Sequence, residues 1–325
     1  MATVVHQVDR PRGRPTAEQF AYLDVPTPAP APGEALVENL YLSVDPYMRE
    51  GMDTGEFGVP LEGRSVGRVV DSRAPGLAVG DLVFHRQGWR SHAVVAPGDV
   101  RILPRIPDVP VTAYLSVLGG TGLSAYVGLT RIARVRPGET VFISAAAGGV
   151  GSAAGEIARL LGAGRVVGST GSAAKAAYLT AELGFDAAID YREGDLPGRL
   201  AAAAPDGIDV YFDNVGGDHL EAAIAALRPR GRIAWCGAVA QYNSTVPPPA
   251  PRNLFDVVEK RLRLEGFLVR EHTHLQPELE AFLIPHLREG RLVAAETVVD
   301  GLDRMVDAFL DMLDGGNTGK MIVKV

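Results

Sequence analysis

The chain reads as an α/β protein, with a β-rich, barrel-like unit at its N-terminal end and a doubly wound parallel sheet of six strands behind it. Three observations predict this. Pro and Gly cut the first third into short alternating runs. From about Gly119 onward, apolar runs alternate with helical patterns. A glycine-rich turn joins the first strand of that alternation to its first helix.

The elements follow in order. Ala35 to Leu42 alternates as a half-buried strand does, and Gly67–Ser72 and Ala78–Phe84 read as further short strands cut by turns. This spacing suggests a barrel-like unit. Thr140 to Ser144 is a buried strand, and Gly151 to Leu161 an Ala-rich helix. Arg165–Gly168 and Ala173–Leu183 repeat the pair, and Asp186–Asp190 precedes a polar helix. Ile208–Asp213, Arg232–Cys236 and Leu262–Val269 supply the remaining strands. Such regular alternation places helices on both faces of a parallel sheet. From about Val298 the chain holds a helix over Leu302–Leu313, a turn at Gly315-Gly316-Asn317, and a final strand Lys320–Val325 expected to return to the first domain. The expected domains are therefore 1–120 with 298–325, and 121–297. Val246 to Pro251 is a stiff extended loop, read either as a lid over a substrate or as a surface turn.

Composition narrows the function classes. The chain has 325 residues, 46% of them hydrophobic, and a net charge of −7, enough to bury a core and poorly suited to broad nucleic-acid binding. Cys236 is the single cysteine, which excludes an internal disulfide and a multi-cysteine zinc site. No apolar run reaches the roughly 18 residues of a membrane span, and no signal peptide is read at the N-terminus. A cytoplasmic protein is expected.

Ala145-Ala146-Ala147-Gly148-Gly149-Val150-Gly151 follows a strand and opens a helix, the context a dinucleotide fingerprint requires. Its glycines admit a pyrophosphate to the backbone, and the helix start offers free N–H groups. Ala146 stands where the fingerprint has its first glycine. NAD binders carry an acid about 20 residues further on; here Val167 to Ser172 has none. A 2′-phosphate meets no repulsion there. Lys175 either supplies a cation to that phosphate or is a solvated helix-surface lysine.

Several longer motifs share one order: Leu42-Ser43-Val44-Asp45-Pro46-Tyr47-Met48-Arg49, Leu183 to Asp186, Gly207 to Gly217, Cys236-Gly237-Ala238 leading to Gln241-Tyr242-Asn243, Arg261 to Phe267, and Gly316 to Lys320. On these the chain resembles the zinc-independent medium-chain dehydrogenases/reductases. The likeness is to the branch of leukotriene B4 12-hydroxydehydrogenase/prostaglandin reductase, with its curcumin reductases and alkenal double-bond reductases. The resemblance implies a GroES-like catalytic domain, a Rossmann domain for NADP(H), and commonly a homodimer formed by edge pairing of Rossmann sheets. It also implies cofactor contacts at Ser124, Gly148, Gly149, Val150, Gly151, Lys175, Tyr191, Asn214, Cys236, Gly237, Ala238, Tyr242, Phe267, Leu268, Val269 and Asn317. Tyr47 matches a tyrosine near the reacting carbons. It is a catalytic candidate or an aromatic packing residue. Thr121 departs from the family's usual Pro. Glu259 replaces a tyrosine that some members carry, which puts protonation from that position in doubt.

The reaction this implies is NADPH-dependent reduction of the C=C bond of an enal or enone, with hydride delivered to the β-carbon and protonation of the enolate. Rivals are a quinone reductase and an NADP-binding structural or sensor protein. A zinc alcohol dehydrogenase is rejected for want of ligands, since His85, His92, His272 and His274 are scattered along the chain. No metal, nucleic acid or membrane partner is expected.

Overall fold

The stretch Ala35–Ser43 is mostly buried, with Glu38 exposed, and short Pro/Gly-bounded segments pair beside it. The computed structural model describes residues 1–246 and 249–325. Its first strands are β1 (Ala2–Gln7), β2 (Phe20–Val25), β3 (Ala35–Ser43), β4 (Ser65–Ser72), β5 (Leu82–His85), β6 (His92–Val95) and β7 (Arg101–Ile102), with helix α1 (Tyr47–Thr54) between β3 and β4. The middle of the chain begins α2 (Gly120–Val127), β8 (Thr140–Ile143), α3 (Gly149–Leu160), β9 (Arg165–Thr170), α4 (Ala173–Ala181) and β10 (Ala187–Asp190). It continues α5 (Leu196–Ala203), β11 (Ile208–Asp213), α6 (Gly217–Ala226), β12 (Leu227–Trp235), α7 (Asp256–Glu259), β13 (Arg263–Gly266) and α8 (Gln276–Arg288). The chain closes with β14 (Glu296–Asp300), α9 (Met305–Leu313) and β15 (Lys320–Lys324). Two compact units result, residues 1–115 with 296–325, and residues 116–295.

In the first unit a sheet runs β14-β15-β3-β4-β5-β7, with β6 also on β3, while β1 and β2 form a separate antiparallel pair. The final strand joins this sheet, pairing Ile322, Val323 and Lys324 with Ser43, Leu42 and Tyr41. Trp89 anchors one core, stacked on Phe20 at 5.4 Å and meeting Phe309 edge-on at 5.5 Å. Such aromatic pairs add stability beyond the area they bury.

Two details differ from the sequence reading of this unit. The stretch Ala78–Asp81 is a turn, and β5 begins at Leu82. Asp81 accepts a hydrogen bond from the Ala78 N–H at 2.8 Å, and Gly80 adopts a positive φ of 97°. That local bond competes with the strand ladder. Helix α1 was not expected either; Pro46, at φ −61°, starts it by pre-setting the helical backbone.

The second unit is a six-stranded parallel sheet in the order β10-β9-β8-β11-β12-β13. Counted from β8, this is 3-2-1-4-5-6, the doubly wound order that reverses direction between its first and fourth strands. β8 is buried along its whole length, as a central parallel strand must be. β12 begins at Leu227 and β13 ends at Gly266. Phe267, Leu268 and Val269 therefore lie past the last strand, where the chain turns into a short 3-10 segment (Val269–Leu275). Pro247 and Pro248 fall outside the described residues, and with them the centre of the expected lid loop. No helix is long and apolar enough to cross a membrane among the described residues.

Candidate functional site

In a doubly wound sheet, ligands bind beyond the carboxyl ends of the strands where the order reverses. Here those ends belong to β8 and β11. After β8 the chain turns through Ala145, which holds a left-handed φ of 47°. Gly148 caps α3, so Gly149, Val150 and Gly151 form its first turn. Their N–H groups have no acceptor within the helix and carry its positive dipole end. Gly151 is there for space, since a Cβ would come within 2.3 Å of the Ala145 carbonyl.

After β11, Asn214 donates from its backbone N–H to the Ser144 hydroxyl at 2.9 Å and from Nδ2 to the Ser144 carbonyl at 2.7 Å. Asp213 ties the same turn. Its Oδ1 accepts from the Tyr211 hydroxyl at 2.7 Å and from the Val215 and Gly216 N–H groups at 2.8 Å. Its carbonyl receives the Cys236 and Gly237 N–H groups at 2.8 and 3.1 Å. The turn after β12 is thus pinned to the turn after β11. Ala238 and Tyr242 continue it, and the Tyr242 hydroxyl lies 3.4 Å from where a Gly237 Cβ would stand. Ser124 of α2 donates to the Gly120 carbonyl at 2.8 Å and also bonds Cys236. Burial, with the Asp213 charge, pushes the Cys236 thiol up to about 12, so it is a neutral packing group at physiological pH.

The third cluster lies beyond β9. Thr170-Gly171-Ser172 carries no carboxylate. Ser172 caps α4 by accepting from the Lys175 N–H at 3.3 Å, which sets Lys175 in the first turn. A Cβ on Gly171 would meet the Tyr191 hydroxyl at 3.2 Å and Arg192 Nε at 3.3 Å. Asp190, the acid beside them, is engaged with the Arg192 N–H at 3.0 Å. Tyr191 packs edge-on against His219 at 5.0 Å. Two cations and a phenol near an acid-free strand end fit a phosphate monoester. A dinucleotide with a 2′-phosphate fits the unit's chemistry: the first turn of α3 has N–H groups to offer a pyrophosphate, and Arg192 and Tyr191 flank Gly171, with Lys175 in the first turn of the next helix.

Phe267 meets Phe212 edge-on at 6.5 Å, and its N–H reaches the Trp235 carbonyl at 3.4 Å. Leu268 is half exposed beyond it. Two candidates belong to the first unit. Asn317 is buried and donates from Nδ2 to the Gly319 carbonyl at 2.6 Å, just before β15. Tyr47 opens α1, and its hydroxyl oxygen is buried with no hydrogen-bond partner in the described protein. Burial, with Asp45 nearby, pushes its pKa well up. The phenol therefore stays protonated and able to donate.

Sequence reasoning missed Ser144, Asp213 and Arg192. Ser144 follows β8 and meets Asn214 70 residues away, and Asp213 ties its own turn inside the Gly207 to Gly217 motif, which gave it no role of its own. Arg192 had a signal in its place directly after Tyr191. His85 is buried between the Asn39 side chain at 2.8 Å and the Gln87 N–H at 3.1 Å. Among the described residues, no group of three His, Cys, Asp or Glu side chains is placed to hold a metal.

The chain matches known proteins along most of its length. Residues 5–103 match the family model described as the N-terminal domain of oxidoreductase, and residues 149–285 match that described as zinc-binding dehydrogenase. A 2-alkenal reductase (NADP(+)-dependent) of Nicotiana tabacum is 40% identical over 301 residues, 90% of this chain and 87% of its own length. The chain belongs to the zinc-independent medium-chain dehydrogenases/reductases. Within this family it is also 41% identical to prostaglandin reductase 1 of Rattus norvegicus, over 96% of this chain and 95% of that one. A crystal structure of CurA from Vibrio vulnificus in complex with NADPH superposes with a TM-score of 0.92 at 36% identity, covering 99% of both chains. The second family model is named for zinc, yet this medium-chain reductase has one cysteine and no three-ligand cluster in its described part.

Proposed function

We propose that the protein reduces the carbon–carbon double bond of α,β-unsaturated aldehydes and ketones with NADPH. The observation that carries this is the match, over nine-tenths of the chain, to a relative named for NADP-dependent 2-alkenal reduction. The acid-free end of β9 with Lys175 and Arg192 beside it supports the choice of NADPH. Bound NADPH supplies hydride to the β-carbon of the substrate. The chain's own groups do the rest. Gly148, Gly149, Val150 and Gly151 hold the pyrophosphate, Lys175 and Tyr191 the 2′-phosphate, and Asn214, Cys236, Gly237, Ala238, Tyr242, Phe267, Leu268 and Val269 the remaining cofactor surface. Ser124 steadies the Cys236 turn, and Asn317 is read as a further cofactor contact. Tyr47 donates a hydrogen bond to the carbonyl oxygen as negative charge gathers there, and the enolate is then protonated.

We read the exposed edge strand β13, with Leu264 and Leu268 and the neighbouring Phe255 and Val258 uncovered, as the contact of a homodimer in the cytoplasm. An unprotected apolar edge invites such pairing.

The test follows NADPH absorbance with a medium-chain 2-alkenal, an aryl enone, a quinone and a saturated aldehyde. Turnover of the alkenal or enone to the saturated carbonyl is expected. Turnover of the quinone alone would move the protein to the quinone reductases, and tight NADPH binding without any turnover would leave a binding protein. Lys175→Ala is expected to weaken NADPH by about tenfold or more while leaving NADH within about twofold. Equal weakening of both would remove the phosphate role.

A further inference from the structure

We propose that Arg64, anchored by Asp45, is a positioning residue for Tyr47, holding the phenol ring in the orientation from which its hydroxyl donates to the substrate carbonyl oxygen. The inference rests on the reading of Tyr47 as the hydrogen-bond donor to substrate. Arg64 directly precedes β4, and its guanidinium is cationic at any working pH. Its side chain is only 12% exposed. Its partner is Asp45, at 3.3 Å from NH1 to Oδ1. That same oxygen also faces the Lys320 ammonium at 3.2 Å, and Lys320 is 4% exposed. The other oxygen, Oδ2, accepts from the Ser43 hydroxyl. Lys320 further donates to the Val44 carbonyl. Two buried cationic side chains therefore share one carboxylate. Glu62, half exposed and paired with Arg86, also acts on Arg64, and Glu296 acts on Lys320.

Burying a second cation on half a carboxylate is unfavourable unless other groups turn negative potential toward it. Tyr47 does so. The guanidinium carbon sits 5.4 Å from the centre of the phenol ring, a cation facing the electron-rich π surface. This contact fixes the tilt of the ring and draws electron density from it, which strengthens the hydroxyl as a donor. Tyr47 itself begins α1, and its ring packs against the core that includes Met48, Met52 and Trp89. The ring is held from below by the core and from one side by Arg64. Its hydroxyl hydrogen is spent on no described protein group.

The experiment measures kcat and KM for a medium-chain 2-alkenal and for NADPH in the parent protein, Tyr47→Phe, Arg64→Gln, Arg64→Lys and the Tyr47→Phe/Arg64→Gln double variant. The inference expects Arg64→Gln to lower kcat by about tenfold with KM for NADPH within about twofold, and Arg64→Lys to keep kcat within about threefold of the parent. In the Tyr47→Phe background, Arg64→Gln should cost less than about twofold more, because both changes remove the same interaction. If Arg64→Gln costs its full factor on top of Tyr47→Phe, Arg64 does not act through Tyr47 and the inference is overturned while the role of Tyr47 stands. If Tyr47→Phe leaves kcat unchanged, the reading of Tyr47 fails first, and the inference with it. Should Arg64→Gln not fold, Arg64→Lys decides. A folded Arg64→Lys that loses as much kcat as Tyr47→Phe overturns the role of the charge.

Discussion

Asp45 in the first unit and Asp213 in the second are both buried carboxylates beside candidate site residues, and they are kept buried by opposite means. No ion pair holds Asp213 among the described residues. Tyr211, Ser144 and the N–H groups of Val215 and Gly216 all converge on its Oδ1, while Oδ2 has no partner among the described groups. Burial outweighs these donors and leaves its pKa raised. Burial pushes Asp45 the same way, but Lys320, Arg64 and the Ser43 hydroxyl overcome it and leave its pKa lowered. Neutral dipoles thus pin a turn, here the one that carries Asn214. Ions hold a charge in place, here the one beneath Tyr47. The pH dependences have opposite signs. Asp45 contributes stability that is present above its unfolded value near 3.8 and is lost as pH falls through its lower folded value. The contribution of Asp213 is largest below that unfolded value and is lost as pH rises through its higher folded one.

The largest expected effect comes from removing the ion at the ionic site. Asp45→Asn strands two buried cations and is expected to cost about 3–5 kcal/mol in urea unfolding at neutral pH. A cost below about 1 kcal/mol would mean that water reaches the cluster and that the contrast with Asp213 is false.

Glu156 in α3 extends the dipole-held class. It is buried, its Oε1 accepts from the Val293 N–H at 2.7 Å, and its Oε2 has no partner in the described protein. Burial pushes its pKa to about 7, against the Val293 bond and Arg159. A raised carboxyl costs stability as pH climbs from the unfolded value toward 7. Glu156→Gln is therefore expected to be roughly 2–3 kcal/mol more stable than the parent at pH 8 and nearly equal to it at pH 4. Thermal melts across that range check the sign, and a variant equally stabilised at both ends would break the argument.

The smallest effect belongs to Asp213→Asn. The amide oxygen can still accept from Tyr211, Val215 and Gly216, and no ion is stranded, so about 1–2 kcal/mol is expected. Its sharper signature is a higher KM for NADPH, read in the alkenal assay, because the turn bearing Asn214 loosens. A loss as large as that of Asp45→Asn would mean that the donors on Asp213 matter as much as the ions on Asp45, and the contrast would fail.

Much of the second unit was legible in the residues, because parallel strands buried on both faces read as short apolar runs. Ile208–Asp213 coincides with β11, and Lys320 to Lys324 forms the strand that returns to β3. Strand ends read less well where local bonding competes, as at Asp81, or where the ladder simply stops, as at Gly266. The short helix α1 and the strand β14 carry too few residues to show a period. At the site, the glycine turn and Lys175 stand out because their signals lie within a few residues of each other.

What the sequence by itself determined is therefore the local and periodic part: the alternation that makes a doubly wound sheet, the glycine turn that opens α3, and the missing acid after β9. The tertiary structure alone decided which distant side chains share a charge. Asp45, Arg64 and Lys320 come from three separate stretches of chain, and Ser144 meets Asn214 across 70 residues. Periodicity reports only which face of an element is buried. Charges pair across space wherever chain closure brings them, and one-dimensional spacing holds no record of that distance.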